Sequence, residues 1–276
     1  MAENNSISTL SSSETTKRLP ELHFSHHNEA DTRIFIIIQY LSNLQYRQII
    51  IEATDTDIFV LSLYFITIQE IWFNTYIPVH HIIEELSTDK SLNVQMNLGS
   101  LLLSIYILTG CDTVRFIFRK GKTNALKKCL NYEHDTELKA LVSYPKSANQ
   151  NLINFENAAR YFFKILYARP LFTGDLNKLR AHLFHTCKSD IRNLPPTQDA
   201  FYQHILRAAY QLIVWKSAIL INPKIPNPVD FGWDLKENNL LLPKLTTISI
   251  CPDVQFENVR CKCKLQKLWL FKSWIV

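Results

Sequence analysis

The chain has 276 residues and a net charge of +5, with 47% hydrophobic and 20% charged residues. This composition is typical of a globular protein with a sizeable core and excludes a largely disordered chain. Only five glycines occur, and neither GxGxxG nor a P-loop can be written on the sequence, which excludes the common glycine-rich phosphate loops. The apolar runs are too short or too interrupted to span a bilayer, and no apolar signal-peptide core precedes them. We therefore expect an intracellular protein, nuclear or cytoplasmic, without a membrane partner.

The first 132 residues are predicted to alternate between helices and strands. Residues 1–24 are polar and are expected to form a disordered leader. Asn28 is a candidate N-cap for the first helix, and the run RQIIIEA at 47–53 is typical of a buried parallel strand. We then predict a helix at 57–67, a strand at 70–76, and helices at 79–86 and 98–108. This order favours a parallel sheet flanked by helices over residues 25–132.

The second half is predicted to be helical and then irregular. Residues 133–222 contain amphipathic stretches at 152–167 and 175–187, and the break NLPPT precedes a helix capped by Thr197 and running to about residue 220. The apolar stripe predicted for this last helix consists of Phe201, Ile205, Ala208, Leu212, Trp215 and Ile219. Residues 223–276 form a proline-punctuated basic tail with short extended pieces. The predicted fold is therefore α/β, a parallel sheet flanked by helices followed by an α-helical region.

Three acidic islands stand at predicted element boundaries. They comprise Glu29, Asp31, Asp55, Asp57 and Asp112, called the acidic cluster below. Acids that follow a parallel strand share one edge of the sheet. Mg²⁺ and Mn²⁺ prefer oxygen ligands, and two such ions can clamp a phosphodiester. Taken singly, each island is also explained by helix capping or a turn.

These islands also resemble a known family. NEADTR, ATDTDIFVL, and LTGCDT followed by RKGKTNALKK are similar to three successive motifs of the flap-endonuclease branch of PIN-like nucleases. The resemblance covers about residues 24–130. The chain from about residue 27 to 263 also resembles an uncharacterised, multi-copy, mobile-element-associated family of animal proteins. The segments LPPTQDAFYQHILRAAYQ and PNPVDFGWDL carry that likeness.

The resemblance to PIN-like nucleases implies roles for the acidic cluster. All five acids would bind two divalent metal ions, Mg²⁺ or Mn²⁺, and Asp55, Asp57 and Asp112 would be catalytic. Flap endonucleases begin with a strand bearing a further catalytic Asp, and no segment before His26 resembles it. We therefore expect a chain truncated at its N-terminus, with an incomplete metal site.

A basic segment follows Asp112. Residues 112–130 contain a single acid, Asp112, and six cations. The cations are Arg115, Arg119, Lys120, Lys122, Lys127 and Lys128. Such a segment suits a nucleic-acid partner, DNA or RNA, although a solvated helix face explains the charges equally well. The glycine-rich hairpin of flap endonucleases is reduced here to Gly121, which disfavours phosphate binding by backbone amides.

The positions of the cysteines predict neither a disulfide framework nor a zinc site. The six cysteines form no disulfide framework. Cys261 and Cys263 resemble the start of a zinc-binding tail, but a CxC pair alone cannot complete a tetrahedral zinc site, so we do not expect zinc there.

Two functions follow from these features. The first is a divalent-metal-dependent nuclease, impaired in this chain, that acts on or binds DNA or RNA phosphodiesters. The alternative is a catalytically inactive nucleic-acid or protein interaction module derived from a nuclease fold.

Overall fold

A computed structural model of the chain describes residues 8–9, 17–18, 29–45, 49–51, 53–65, 71–73, 98–132, 136–144, 150–186 and 190–246. The chain divides into two compact units, Met1–Lys244 and Leu245–Val276, and only residues 245 and 246 of the second are described. All helices and strands named below belong to the first unit.

The described elements are mainly helices. The strands are β1 (Ser8–Thr9), β2 (Lys17–Arg18), β3 (Ile49–Ile51), β4 (Ile71–Phe73), β5 (Trp233–Leu235) and β6 (Leu241–Pro243). The α-helices are α1 (Ala30–Asn43), α2 (Thr56–Phe65), α3 (Leu98–Thr109), α4 (Lys122–Leu130), α5 (Thr136–Ser143), α6 (Gln150–Leu166), α7 (Leu176–Thr186) and α8 (Gln198–Lys216). Short 3-10 helices occupy Ile191–Asn193, Pro228–Phe231 and Glu237–Asn239.

The predicted parallel sheet flanked by helices is wrong. In the part of the chain that the structure describes, the strands are two or three residues long and pair only two by two. β3 and β4 pair in parallel, with Ile49 opposite Ile71, whereas β1–β2 and β5–β6 are antiparallel. The predicted strands at 47–53 and 70–76 do contain β3 and β4, but they form an isolated pair. The core is instead built by helices packed on helices.

Helix α3 lies at the centre of this core. Its sequence LGSLLLSIYILT is apolar nearly all round, and residues 100–109 are all buried, as expected for a helix covered on every side. Its buried Ser104 hydroxyl donates to the carbonyls of Ser100 and of Leu141 in α5. A Cβ on Gly99 would lie 2.8 Å from the Leu63 carbonyl oxygen. Glycine at this position therefore permits the close approach of α3 to α2.

Helix α8 packs against α3 and α6. The predicted cap is confirmed, since Thr197 Oγ1 accepts a hydrogen bond from the Ala200 amide. The predicted apolar stripe is buried except for its last member, Ile219, which is half-buried; the buried members are Phe201, Ile205, Ala208, Leu212 and Trp215. Residues from the predicted nuclease-like and helical segments thus share one hydrophobic core.

Several sequence predictions concern segments that the structure describes only in part or not at all. The predicted helix at 79–86 lies outside the described residues, as do Asn28 and residues 247–276 of the predicted tail. Glu29 rather than Asn28 takes the N-cap position of α1. β1 and β2 pair within the segment 1–24 that we expected to be disordered.

Candidate functional site

The N-terminus of α1 contributes Glu29 and Asp31. Glu29 has extended backbone angles (φ −86°, ψ 135°), and its side chain makes no capping hydrogen bond. Its carboxylate instead points to α8, where the Gln211 Nε2 lies 3.3 Å from each oxygen and the Trp215 Nε1 lies 3.1 Å from Oε2. Capping therefore does not account for the Glu29 carboxylate. Asp31 is half-buried in the first turn of the same helix.

The turn from β3 to α2 contributes Asp55 and Asp57. Asp55 Oδ1 accepts a hydrogen bond of 2.9 Å from the Asp57 amide, which is a capping contact at the start of α2. The Asp57 side chain is 8% exposed, and its Oδ1 accepts a hydrogen bond from the Tyr106 hydroxyl of α3. Asp55 therefore combines a local structural role with a place in the cluster, while Asp57 is held by a tertiary contact.

The loop after α3 carries Asp112. Gly110 has φ +120°, and a Cβ there would lie 2.4 Å from Phe116 Cα, so only glycine fits this turn. Reciprocal backbone hydrogen bonds between Cys111 and Val114 close the tight loop around the exposed Asp112.

Two side chains fix the base of this loop. The Lys122 ammonium donates to the Gly110 carbonyl, and the buried His204 ring contacts the Leu108 carbonyl at 2.9 Å. Burial lowers the pKa of His204 to about 4, so this imidazole is neutral at pH 7 and acts as an uncharged hydrogen-bond donor to the carbonyl. The loop is thus tied to both α4 and α8.

The pKa shifts of Asp31 and Asp57 indicate that charges of the acidic cluster act on one another. The pKa of Asp31 is raised to about 6, first by burial and then by the negative charges of the other four acids of the cluster. The pKa of Asp57 is raised by burial and by Asp55 and Asp112, although the Tyr106 hydrogen bond and the Lys122 charge oppose the shift. Acids from three separate segments therefore act on one another, because nearby like charges disfavour ionisation.

The side chains of the acidic cluster are not arranged as a ready metal site. Within the described ranges, no group of three or more His, Cys, Asp or Glu side chains is placed to hold a metal ion. The donor chemistry still suits Mg²⁺ or Mn²⁺, since all five groups offer carboxylate oxygens. The carboxylates are close enough to repel one another, and binding an ion would require side-chain rotation or bridging water.

Three of the six cations in the basic segment make contacts inside the protein. Lys122 faces the Gly110 carbonyl and lies 4.2 Å from the centre of the Tyr106 ring. Lys128 donates to the Leu166 carbonyl at the C-terminus of α6, and Lys120 lies 4.5 Å from the Tyr167 ring centre. Burial, with the nearby charge of Lys128, lowers the pKa of Lys120.

The other three cations, Arg115, Arg119 and Lys127, have exposed side chains. The Arg119 guanidinium lies 5.2 Å from the Phe118 ring centre, and Arg192 lies 4.7 Å from the same ring. The exposed arginines and lysine are therefore the members of the segment that solvent-borne phosphates can reach.

Sequence reasoning missed the residues that hold the acids, namely Tyr106, Gln211 and Trp215. The apolar stripe predicted for α8 includes Trp215. Burial of the Trp215 ring confirms that prediction, but the stripe does not account for the hydrogen bond that its N–H group donates to Glu29. A signal was present, because Gln203, His204 and Gln211 are polar side chains buried in a helix of the core. Buried polar groups need partners, so such positions indicate tertiary hydrogen bonds. Cys261 and Cys263, the remaining metal candidates of the sequence, lie outside the described residues.

In comparisons with known proteins, no family model, no curated protein and no solved structure matches the chain. Among the described residues, no helix has both the length and the apolar character needed to cross a membrane.

Proposed function

We propose that this chain is a divalent-metal-dependent, nuclease-like protein that acts on or binds DNA or RNA phosphodiesters. The observation that carries the proposal is the position of the Asp31 carboxylate within the fields of Glu29, Asp55, Asp57 and Asp112. Five carboxylates gathered from three segments repel one another unless cations or protons neutralise them. The resemblance of the three motifs to flap endonucleases supports the same assignment.

The residues of the acidic cluster would hold Mg²⁺ or Mn²⁺. Such ions neutralise charge that develops on phosphate oxygens and help to orient the phosphodiester. The protein's own contribution is to fix the acids. Tyr106 holds Asp57, the Gly110 loop presents Asp112, and α8 holds Glu29. Arg115, Arg119 and Lys127 would supply positive charge towards nucleic-acid phosphates.

We further propose that turnover is low. Among the described residues no three acids are placed to hold one ion, and loosely held ions are poor catalysts because productive geometry must be held within about 0.5 Å. An intracellular site, nuclear or cytoplasmic, would supply both Mg²⁺ and nucleic acid.

The test combines metal binding with cleavage. Mn²⁺ binding to the full chain is measured by calorimetry, and cleavage is followed on fluorescently labelled single-stranded and duplex DNA and RNA. We expect weak Mn²⁺ binding that Asp55→Asn abolishes, together with little or no cleavage. The matched control is Asp230→Asn, which removes the same charge from an exposed acid that is not among the charges acting on Asp31. Equal Mn²⁺ binding by the parent and Asp55→Asn chains would overturn the proposal.

A second candidate function is an inactive nucleic-acid interaction module. Two observations favour it: Arg115, Arg119 and Lys127 are exposed, and no three described acids are placed to hold one ion. Salt-dependent DNA or RNA binding that is unchanged by EDTA and by Asp55→Asn would select this function over the first.

A further inference from the structure

The loop between α3 and α4 and the connection between α7 and α8 meet at the ring of Phe118. The guanidinium carbon of Arg119 lies 5.2 Å from the centre of this ring, and that of Arg192 lies 4.7 Å from it. The Asp190 carboxylate holds Arg192, with Oδ2 at 2.6 Å from Nη2. The hydrogen bonds of Arg192, together with the charge of Arg119, lower the pKa of Asp190 to about 2. Two arginines from distant segments of the chain therefore share one ring and one acid.

The turn that carries Phe118 and Arg119 has an unusual backbone. The Lys120 amide donates to the Ile117 carbonyl at 3.1 Å, which closes a four-residue turn. Arg119 is the third residue of this turn and has φ +55°, a left-handed conformation that glycine and asparagine adopt more readily than arginine. Such backbone strain is concentrated at functional sites. The turn by itself therefore does not call for an arginine at this position.

An exposed aromatic ring lies in the same loop. The Phe116 side chain is 70% exposed, and Arg115 beside it is exposed as well. Exposed aromatic rings among cations provide a stacking platform for bases together with charge for phosphates, which is how proteins bind single-stranded nucleic acids of any sequence. The residues with these properties are called the arginine–phenylalanine surface below, and they are Arg115, Phe116, Phe118, Arg119 and Arg192.

We propose that the arginine–phenylalanine surface binds a single strand of DNA or RNA, with an unpaired base stacked on Phe116 and phosphates at the arginines. This inference rests on the nucleic-acid binding proposed above and is independent of the metal site. Bases of a duplex are already paired and stacked, so an exposed ring offers its face only to an unpaired base. Asp190 engages Nε and Nη2 of Arg192, and an arginine has five N–H groups, so others remain for phosphate oxygens.

The first experiment compares single and double strands. Binding of the full chain to a fluorescently labelled oligothymidine, and to a DNA duplex of the same length, is measured by anisotropy in EDTA. We expect Phe116→Ala to weaken oligothymidine binding about 10-fold, as the loss of one base–aromatic contact does, and to leave duplex binding unchanged. Phe116→Trp keeps a stacking ring and should retain the parent affinity. The matched control is Phe184→Ala in α7, where the ring is 61% exposed, and this variant should bind like the parent.

A salt series separates stacking from charge. Phe116→Ala removes no charge, so the slope of log Kd against log salt should stay the same. Arg192→Ala should reduce that slope by about 0.7, the value for one phosphate contact on a single strand. Lys236→Ala removes an exposed cation of the β5–β6 hairpin and should leave the slope unchanged. An unchanged slope in Arg192→Ala would show that the two segments do not form one binding surface and would overturn the proposal.

The remaining outcomes distinguish this surface from the proposed function. Unfolding midpoints show whether each variant keeps the parent fold, which the exposure of Phe116 and Arg192 leads us to expect. Equal affinity of the parent chain for both probes, or oligothymidine binding that Phe116→Ala leaves unchanged, would overturn the single-strand surface while the proposed function stands. Failure of the parent chain to bind Mn²⁺ would overturn the proposed metal function and leave this surface in place, because these titrations contain EDTA.

Discussion

The acidic cluster and the basic segment are both visible in the sequence, but tertiary structure treats them in opposite ways. The acids lie in three islands separated by tens of residues and are brought together around Asp31. The cations occupy one continuous segment and are divided, with Lys120, Lys122 and Lys128 directed to carbonyls and rings of the protein. Proximity along the chain is therefore a poor guide to shared function, because backbone turns direct neighbouring side chains to different environments.

The two regions also differ in how their charge is neutralised. The basic side chains that turn inward meet helix C-terminal or loop carbonyls and aromatic faces, which stabilise positive charge. The inward-facing acids have N–H and O–H donors but few cations, and the pKa values of Asp31 and Asp57 are raised. Negative charge that is partly buried and repelled by its neighbours costs free energy of folding, and carboxyl groups with raised pKa values are frequent at functional sites.

The largest expected effect comes from breaking the loop that presents Asp112. Gly110→Ala forces a Cβ into Phe116 at a backbone φ of +120°, so it should destabilise the protein by about 3 kcal/mol. The matched control is Gly121→Ala, because a Cβ there meets nothing within 4 Å. That control should stay within about 1 kcal/mol, the range of N-cap effects. Urea unfolding of both variants measures the difference, and equal effects would show that the loop is not held as the structure indicates.

Removing the hydroxyl that holds Asp57 should have the next largest effect. Tyr106→Phe leaves the buried Asp57 carboxylate without its hydroxyl donor. The free energy of unfolding should fall by about 2 kcal/mol at pH 7. Tyr167→Phe removes a hydroxyl bonded to the Leu194 carbonyl and should cost about 1 kcal/mol, because that bond is between neutral groups.

The Tyr106 prediction also has a direction with pH. The Tyr106 hydrogen bond favours the charged form of Asp57. The extra loss of unfolding free energy in Tyr106→Phe, relative to Tyr167→Phe, should therefore shrink as pH falls and the carboxylate is protonated. Denaturant titrations at pH 7 and pH 4 give the comparison, and a loss independent of pH would contradict a contact with the charged form.

Asp31→Asn should stabilise the chain in the absence of metal. The folded pKa of Asp31, about 6, lies above its ordinary value of 3.8, so the folded state binds protons more strongly than the unfolded state. The resulting destabilisation is absent below about pH 4, grows between pH 4 and pH 6, and stays constant above that range. After allowance for solvent screening we expect a gain of about 1 kcal/mol at pH 7.5 and none at pH 3.5.

Metal provides the control for this prediction. Mn²⁺ should stabilise the parent chain more than Asp31→Asn, since a bound cation removes the repulsion that the substitution relieves. Unfolding midpoints of the parent chain and of Asp31→Asn are measured in EDTA and in Mn²⁺. If Asp31→Asn stabilises the chain at pH 7.5 by the same amount with and without Mn²⁺, Asp31 is not part of the metal site.

The smallest expected effects concern the exposed cations. Replacing Arg115, Arg119 or Lys127 by Ala should weaken binding to a nucleic acid severalfold at low salt, whatever its sequence. Each lost phosphate contact should lower the slope of log Kd against log salt by about one. Lys128→Ala is the matched control, because its ammonium donates to the Leu166 carbonyl and its loss should lower stability rather than affinity. Fluorescence anisotropy over a salt series tests both, and an equal loss of affinity in Lys128→Ala would place phosphates at the α6 terminus instead.

Local sequence patterns predicted the individual elements well. The helix predicted at 98–108 is α3, the helix predicted after Thr197 is α8, and the cap at Thr197 is observed. These patterns depend on interactions within a few residues, namely periodic burial and side-chain capping, so they can be read directly from the chain. The predicted strands contain β3 and β4 for the same reason.

Assembly of those elements could not be read in this way. An apolar run such as 47–53 is equally compatible with a parallel sheet and with a short strand beside a helical core, and neighbouring apolar helices supplied the burial here. The sequence places Glu29, Asp55 and Asp112 at the edge of a sheet that does not form; in the structure they stand next to the ends of α1, α2 and α3, and their charges act on Asp31. The sequence by itself determined most of the helices, the cap at Thr197 and the identity of the acidic residues. Only the tertiary structure decided which buried donors hold those acids, because Tyr106, Gln211 and Trp215 meet them through contacts 49 to 186 residues apart along the chain.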